Sequence, residues 1–433
     1  MNLLYSNDTK GAFPRSWYAA TAHERTPAPQ LRGDAAADIC VVGGGFTGLS
    51  AALHLAERGY SVALIEAHRV GFGASGRNGG QLGSGQRVEQ TDLEKMVGEA
   101  EALKLWELAE NAKNLVKQLI LKHNIDCDLK PGIAHAMFSA SETAHEHAYV
   151  EHLQSRYGYD QITALSEEAL SAVCPSPRYK GGSLDMGAAH LHPLNYALGL
   201  ARACEKAGVT FYENTHVHHI EDGAKVTVRC DTGRVLADHV ILAANGYLGG
   251  LNRRVAGRVM PINNFIAATE PLGEDAARVL TKDIAVADSK FVVNYFRLSS
   301  DNRLLFGGGE SYGYKFPDID KTVRKPMIDI YPHLKDIRFD YTWGGTLAIT
   351  MKRLPYLARL APNILSASGY SGHGVGTATQ AGKLMADAIA GEATGFDTMA
   401  RIPNTPFPGG AALRTPLLTL AMTWYALRDR LGV

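Results

Sequence analysis

The apolar positions of this chain change period abruptly between Asp38 and Glu66. Asp38 to Val42 reads DICVV, an apolar run too short for a helix. GGGFTGLSAALHLAERG follows with apolar residues at helical spacing, and SVALIE, Ser61 to Glu66, is a second strand-like run. Strand, glycine turn, helix and strand make a βαβ unit, which requires parallel strands and a right-handed crossover. This is half of a doubly wound sheet. Leu194 to Gly208 repeats the helical period, VTFYENTHV (Val209 to Val217) follows as one strand, and HVILAANG (His239 to Gly246) is an apolar strand ending in glycine. NILSASGYSGHG then predicts a strand and a glycine-rich turn, opening a last helix from near Gly374 to about Gly391.

Two stretches interrupt this pattern, roughly Gln86 to His190 and Tyr247 to Lys352. The second alternates FIAATEP, FVVNYFRLS and RLLFGGG with polar turns, as an antiparallel sheet does. The fold class expected is α/β, α+β overall: a Rossmann-like dinucleotide domain with an inserted antiparallel-sheet substrate domain. The dinucleotide domain takes 33–85, 190–247 and 352–395, and the substrate domain 86–189 and 248–351. Residues 1–32 and 396–433 are terminal extensions.

Composition narrows the function. The 433 residues are 45% hydrophobic, and 44 basic side chains balance 44 acidic ones. No global field draws nucleic acid or anionic lipid, so the expected partner is a small molecule. Five scattered cysteines, Cys40, Cys127, Cys174, Cys204 and Cys230, support neither a disulfide framework nor a zinc ribbon and fit a reducing cytoplasm. No run of about 20 apolar residues suggests a transmembrane segment. Pro416 to Leu431, carrying Arg428, Asp429 and Arg430, reads as an amphipathic helix. His216, His218 and His219 resemble a metal cluster only superficially, because strand alternation puts His219 on the opposite face. No metal is expected.

Gly43, Gly45 and Gly48 form G-x-G-x-x-G at the strand-to-helix turn. The first permits the tight turn, the second lets backbone approach a pyrophosphate and the third allows close helix packing. Phe46 and Thr47 lie at the helix N-terminus, which faces the phosphates. Glu66 ends the second strand, where a carboxylate accepts from a ribose hydroxyl; the competing reading is a solvated strand end. The motif alone does not separate NAD from FAD. The next segment does. From Glu66 and Ala67 onward, glycine recurs at Gly71, Gly73, Gly76, Gly79, Gly80, Gly83 and Gly85, a density that suits backbone lying against a large flat ligand. Ala74, Ser75, Arg77 and Asn78 sit within it, the last two as candidates for the edge of a flavin ring or the pyrophosphate. An extended FAD needs such a second surface.

The turn holding Gly372, Gly374, Val375, Gly376 and Thr377 opens the last helix, whose amides and positive end would stabilise charge on a reduced flavin. His373 is a candidate ring contact or proton carrier, or equally a structural histidine. Ala244, at the end of the His239 strand, is placed in the same site. Tyr295, Trp343 and Tyr370 are pocket candidates that could hold an amine by cation–π contact; the competing reading for each is a core aromatic.

DICVVGGGFTGLSAALHLAERG, GASGRNGGQ, WGGTLAITMKRLPYLARL and GYSGHGVGTATQAGKLMADAI resemble the glycine and D-amino-acid oxidase family of flavoproteins, which includes the sarcosine oxidases. SGRNGG, the early SWY, the WGG stretch and the tail PFPGG…WYALRDRL are most similar to its gamma-glutamylputrescine oxidoreductases. The resemblance implies FAD-dependent oxidation of the terminal amine of a gamma-glutamylated diamine to an aldehyde, with release of ammonia and, with oxygen as acceptor, of hydrogen peroxide. It also implies that Val217 offers its backbone to adenine. Three departures from the sarcosine-oxidase pattern matter. No cysteine follows Cys230, so the flavin is expected to be noncovalent. Gly376 stands where a lysine meets the substrate carboxylate, which removes the anchor for a small N-methyl amino acid. The lysine that assists oxygen reduction falls near Leu305 or Phe306, which leaves open another electron acceptor. The alternatives are a D-amino-acid or secondary-amine dehydrogenase and a noncatalytic FAD-binding subunit.

Overall fold

A computed structural model describes residues 3–410; the Pro416–Leu431 reading and the WYALRDRL part of the tail lie outside the described residues. One eight-stranded sheet contains, in spatial order, Tyr356–Ala361, Ile364–Ser368, Gly233–Leu242, Gly33–Val42, Val62–Ile65 and Thr210–Tyr212. Gly33–Val42 is parallel to both of its neighbours, as the βαβ reading requires.

The unbroken apolar run at its end has a simple cause. Ile39 and Val41 face one hydrophobic cluster and Cys40 and Val42 another, so both faces of the strand are covered. On one side pack helices Phe46–Ala56, Glu99–Lys122, Pro193–Lys206 and Gly374–Ile389. On the other, strands Val217–Glu221 and Val226–Cys230 extend antiparallel from Gly233–Leu242 and bury Val217, Val226 and Val228. Burying each Ile or Leu side chain here stabilises the fold by about 1.5–3 kcal/mol. An aspartate at Val41, which is fully buried, would break the layer.

VTFYENTHV is two strands rather than one. Asn214 has φ +52° and ends the first, while Glu213 turns inward to accept hydrogen bonds from Arg25 and from the backbone N–H groups of Ala28 and Val70. That buried carboxylate ties the first strand end to two remote segments.

The second sheet has nine strands, running Phe339–Ile349, Met260–Thr269, Leu304–Ser311, Tyr295–Leu298, Ala285–Asp288, Lys130–Ala136, Gly182–His190 and Gln81–Leu82, with Ile162–Leu165 beside Gly182–His190. Its pairings are antiparallel except where Ala285–Asp288 meets Lys130–Ala136. That pairing joins the two long inserted stretches edge to edge. Two details depart from the boundaries drawn on the sequence. Gln81–Leu82 pairs into this second sheet, and Glu99–Lys122 buries Ala102, Leu105, Leu115 and Val116 in the core of the first. The helix crosses over because its apolar stripe has the Gly374–Ile389 helix to cover.

Candidate functional site

The two sheets enclose a cavity of about 960 Å³, and the glycine-rich turns open onto it. Gly43 holds φ +112°, a conformation that disfavours any side chain, and a Cβ at Gly48 would lie 1.9 Å from the Gly43 carbonyl oxygen. Gly48 therefore packs helix on strand and does not line the cavity; Gly43, Gly45, Phe46 and Thr47 do. The Phe46–Ala56 helix has Gly45 as its cap, which offers no side chain to its leading N–H groups; Ser75 Oγ accepts from Phe46 N at 3.0 Å. The Gly374–Ile389 helix starts on His373, whose side chain makes no cap bond either. Two helix N-termini whose own cap residues supply no side-chain bond thus meet one cavity, an arrangement suited to anionic groups.

Glu66 reaches the same wall. Its Oε2 accepts from Gly44 N at 2.8 Å and its Oε1 from His68 N at 2.9 Å. Burial pushes its carboxyl up to about 7, against the pull of those backbone N–H groups. Ala67 lies beside it, and Val217, Thr215, His216 and Leu4 complete this end.

Gly73, Ala74, Ser75, Arg77, Asn78 and Gly79 line the middle, but Arg77 and Asn78 brace the loop. The Asn78 amide donates to the carbonyls of Ala74 and Ser75 and accepts from Gly80 N. Arg77 donates from Nε to Phe72 O and from Nη1 to Asp8 and Gly344 O. The Asn78 amide and the Nε and Nη1 of Arg77 are thus committed within the protein, whereas the buried Arg77 Nη2 has no hydrogen-bond partner among the described residues. Gly76 and Gly80 pack inward: a Cβ on either would meet the carbonyl of Gly71 or Leu191 at about 2 Å.

The last turn divides likewise. Gly372, His373, Gly374, Val375 and Tyr370 line the cavity, as does Ala244. Gly376 faces Leu82 and Ala112 instead, and Thr377 Oγ1 donates back to His373 O. Tyr370 OH and Thr47 Oγ1 are 2.7 Å apart, linking the two helix starts. His373 Nε2 donates to Gly85 O at 3.0 Å, and burial holds its imidazole down to about 4, so it is neutral near pH 7. The Tyr295 ring packs against Gly79 and Gly307, where any Cβ would collide with it, and its hydroxyl donates to Asn264 Oδ1. Trp343 does not line the cavity. It is buried against Tyr18, with Nε1 donating to Arg77 O at 3.0 Å. It supports the loop from behind, the core role that competed with the pocket reading.

Residues 38–388 match the family described as FAD dependent oxidoreductase. The chain belongs to that family. The FAD-dependent oxidoreductases similar to it include the gamma-glutamylputrescine oxidoreductase of Escherichia coli K12, 40% identical over 421 residues, covering 96% of this chain and 99% of that one. A probable oxidoreductase, OrdL, of Rhizobium meliloti is 42% identical over 417 residues, covering 96% and 97%. The fold is shared with the crystal structure of glycine oxidase from Geobacillus kaustophilus, with TM-score 0.70, 21% identity, and coverage of 82% of this chain and 95% of that one.

The site of this FAD-dependent oxidoreductase fits its cofactor. The two helix starts would suit a pyrophosphate, the Glu66 carboxylate, which accepts from Gly44 N and His68 N, could accept further from ribose hydroxyls, and residues 73–75 and 77–79 line the cavity beside them. FAD is held noncovalently. Among the described residues no group of His, Cys, Asp and Glu could hold a metal, and no helix is long and apolar enough to cross a membrane.

Sequence reasoning missed two parts of the site. The N-terminal segment, read as an extension, brings Leu4 onto the cavity; His68 Nε2 donates to Leu4 O at 2.7 Å. Nothing local in residues 3–18 signals this. Arg87, Glu310 and Arg353 reach the far wall from three separate segments. Arg353 carries the one available signal, standing inside a motif noted only for its resemblance.

Proposed function

We propose that this oxidoreductase oxidises the terminal primary amine of a gamma-glutamylated diamine, of which gamma-glutamylputrescine is the reference case. The observation that carries this reading is the 40% identity sustained over 99% of an enzyme of that name. The geometry is compatible with a substrate longer than glycine: besides the glycine-rich turns, the cavity is lined by Asn264, Tyr295, Arg87, Glu310 and Arg353.

When bound, FAD supplies the two-electron acceptor that turns RCH2NH2 into RCH=NH, and water then converts this to RCHO and NH3. The chain's residues prepare the amine. It enters as an ammonium and must be neutral before its α-hydrogen leaves with the electron pair, so a wall that disfavours cations assists the step. Tyr295, Leu347 and Ile349 supply apolar surface there. Leu305 and Phe306, both buried in apolar clusters, stand where the resemblance would put the lysine that assists oxygen reduction, so an acceptor other than oxygen is the alternative to be tested.

The test is anaerobic mixing of the purified yellow protein with gamma-glutamylputrescine, putrescine, sarcosine and D-amino acids, followed by oxygen uptake. Rapid bleaching by the first is expected. Faster bleaching by sarcosine or putrescine overturns the substrate, and a flavin spectrum that no amine bleaches overturns catalysis. Bleaching without oxygen uptake makes the enzyme a dehydrogenase.

A further inference from the structure

We propose that Arg87, Arg353 and Glu310 bind the α-amino-acid end of the glutamyl group, the two guanidiniums taking its α-carboxylate and Glu310 its α-ammonium. This rests on the gamma-glutamylated substrate class above and names what holds it.

The three side chains come from different elements and all line the one cavity. Arg87 follows the glycine-rich loop, Glu310 lies on strand Leu304–Ser311, and Arg353 sits in the turn after Phe339–Ile349. Arg25 and Arg77 have buried carboxylate partners, Glu213 and Asp8. Arg87 and Arg353 form no ion pair among the described residues, although Glu310 is close enough to act on both electrostatically. They also repel one another: the Arg353 charge, after burial, is the next largest influence lowering the Arg87 pKa. Two guanidiniums held near each other in a partly dry wall are complementary to a carboxylate.

Arg353 adds a backbone observation. Its φ is +56°, a conformation uncommon for a residue with a side chain, within a turn where its N–H donates to Thr350 O. The guanidinium lies 4.7 Å over the Phe291 ring, which also lines the cavity. Strain of this kind, at a charged residue on a cavity wall, points to a task for the side chain. Glu310 is oriented by Tyr312, whose hydroxyl donates to Oε2 at 2.9 Å. Its other oxygen makes no hydrogen bond among the described residues. Two positive groups and one negative group match an amino-acid zwitterion in sign and order.

The test uses three substrates that share the reacting amine: gamma-glutamylputrescine, glutarylputrescine, which lacks the α-ammonium, and 4-aminobutyrylputrescine, which lacks the α-carboxylate. Anaerobic flavin reduction gives a rate constant and Kd for each. The wild-type protein is expected to prefer them in that order. Arg353→Met and Arg87→Met should each cut the advantage of glutarylputrescine over 4-aminobutyrylputrescine by about 10- to 100-fold, the scale of one charge-assisted hydrogen bond. Glu310→Gln should cut only the advantage of gamma-glutamylputrescine over glutarylputrescine. Arg353→Lys retains the charge and should recover part of the loss. Equal wild-type reduction by all three overturns the anchor and leaves acylated-amine oxidation standing, as does a variant that slows all three alike. No reduction by any of them overturns the substrate class and the anchor together. Flavin content and melting temperature identify a variant that has not folded, and the wild-type series decides the matter without it.

Discussion

Arg77 Nη1 stands 3.1 Å from both carboxylate oxygens of Asp8, and the two side chains are only 1% and 7% exposed. The pair fastens the N-terminal segment to the glycine-rich loop. Removing the carboxylate alone strands a buried guanidinium. Asp8→Ala should therefore destabilise the protein by about 3–5 kcal/mol, the usual cost of breaking a buried pair from one side. Asp8→Ala with Arg77→Met should recover part of this, because no charge is left unpaired. Chemical denaturation of the three proteins checks it, and equal unfolding free energies for wild type and Asp8→Ala would refute the role given to the pair.

Gly45 and Gly48 fail differently when substituted. Gly45→Val puts a branched side chain into the space beside Ser75 where the pyrophosphate is expected, so the protein should fold and lose FAD. Gly48→Ala instead forces a methyl group against the Gly43 carbonyl oxygen, 1.9 Å from an ideal Cβ, and should lower the melting temperature as well. Absorbance at the flavin band, read beside a thermal melt, separates the two. Full flavin content in Gly45→Val would remove the dinucleotide assignment from this turn.

Glu66 makes FAD binding depend on pH. Its carboxyl titrates near 7 in the cofactor-free protein because burial disfavours the charge. Ribose hydroxyls donate to the ionised form, so binding lowers that pKa and releases a proton. Affinity should then rise with pH, by at most about tenfold per unit below 7, and level off above. Glu66→Gln should abolish this slope and weaken binding by about 1–3 kcal/mol. Calorimetric titrations in buffers of different ionisation enthalpy measure the proton directly; no proton release near pH 7 would place the ribose elsewhere.

His373 is expected to act as a positioning residue. A base held to about 4 takes a proton poorly from an ammonium, and its Nε2 is already committed to Gly85 O. The pH profile of flavin reduction should follow the amine alone. His373→Gln should lower the rate without moving the profile, and a displaced acid limb would make the imidazole the proton acceptor.

The doubly wound half of the fold was legible because its information is local. A strand buried on both faces must be apolar throughout, as at Ile39 to Val42, and its turn must be glycine, as at Gly43. The errors arose where a residue answers to a distant partner. Glu213 looked like part of a continuous strand, but Arg25 and the Val70 amide draw it inward and Asn214 turns the chain. Arg77 was read only as a candidate ligand contact; it does line the cavity, but its bracing of Asp8 and Gly344 O depends on segments far away in the sequence. Trp343 was ambiguous for the same reason, since its partners are Tyr18 and the Arg77 carbonyl.

Strand Gly233–Leu242 lies between Gly33–Val42 and Ile364–Ser368, and the turn after the latter completes the wall begun at Gly43. A ribosome delivers these pieces in order, the first turn early and the last near the end of synthesis. Until residues beyond Ser368 have emerged, the leading βαβ unit has no second helix start to share a bound anion, and the Gly374–Ile389 helix is not there to cover its apolar face. Cofactor capture is thus a late event for the growing chain. A chain cut short before Gly374 would expose the surface of the Phe46–Ala56 helix that Gly382 otherwise approaches so closely, and would be a substrate for chaperones rather than for flavin.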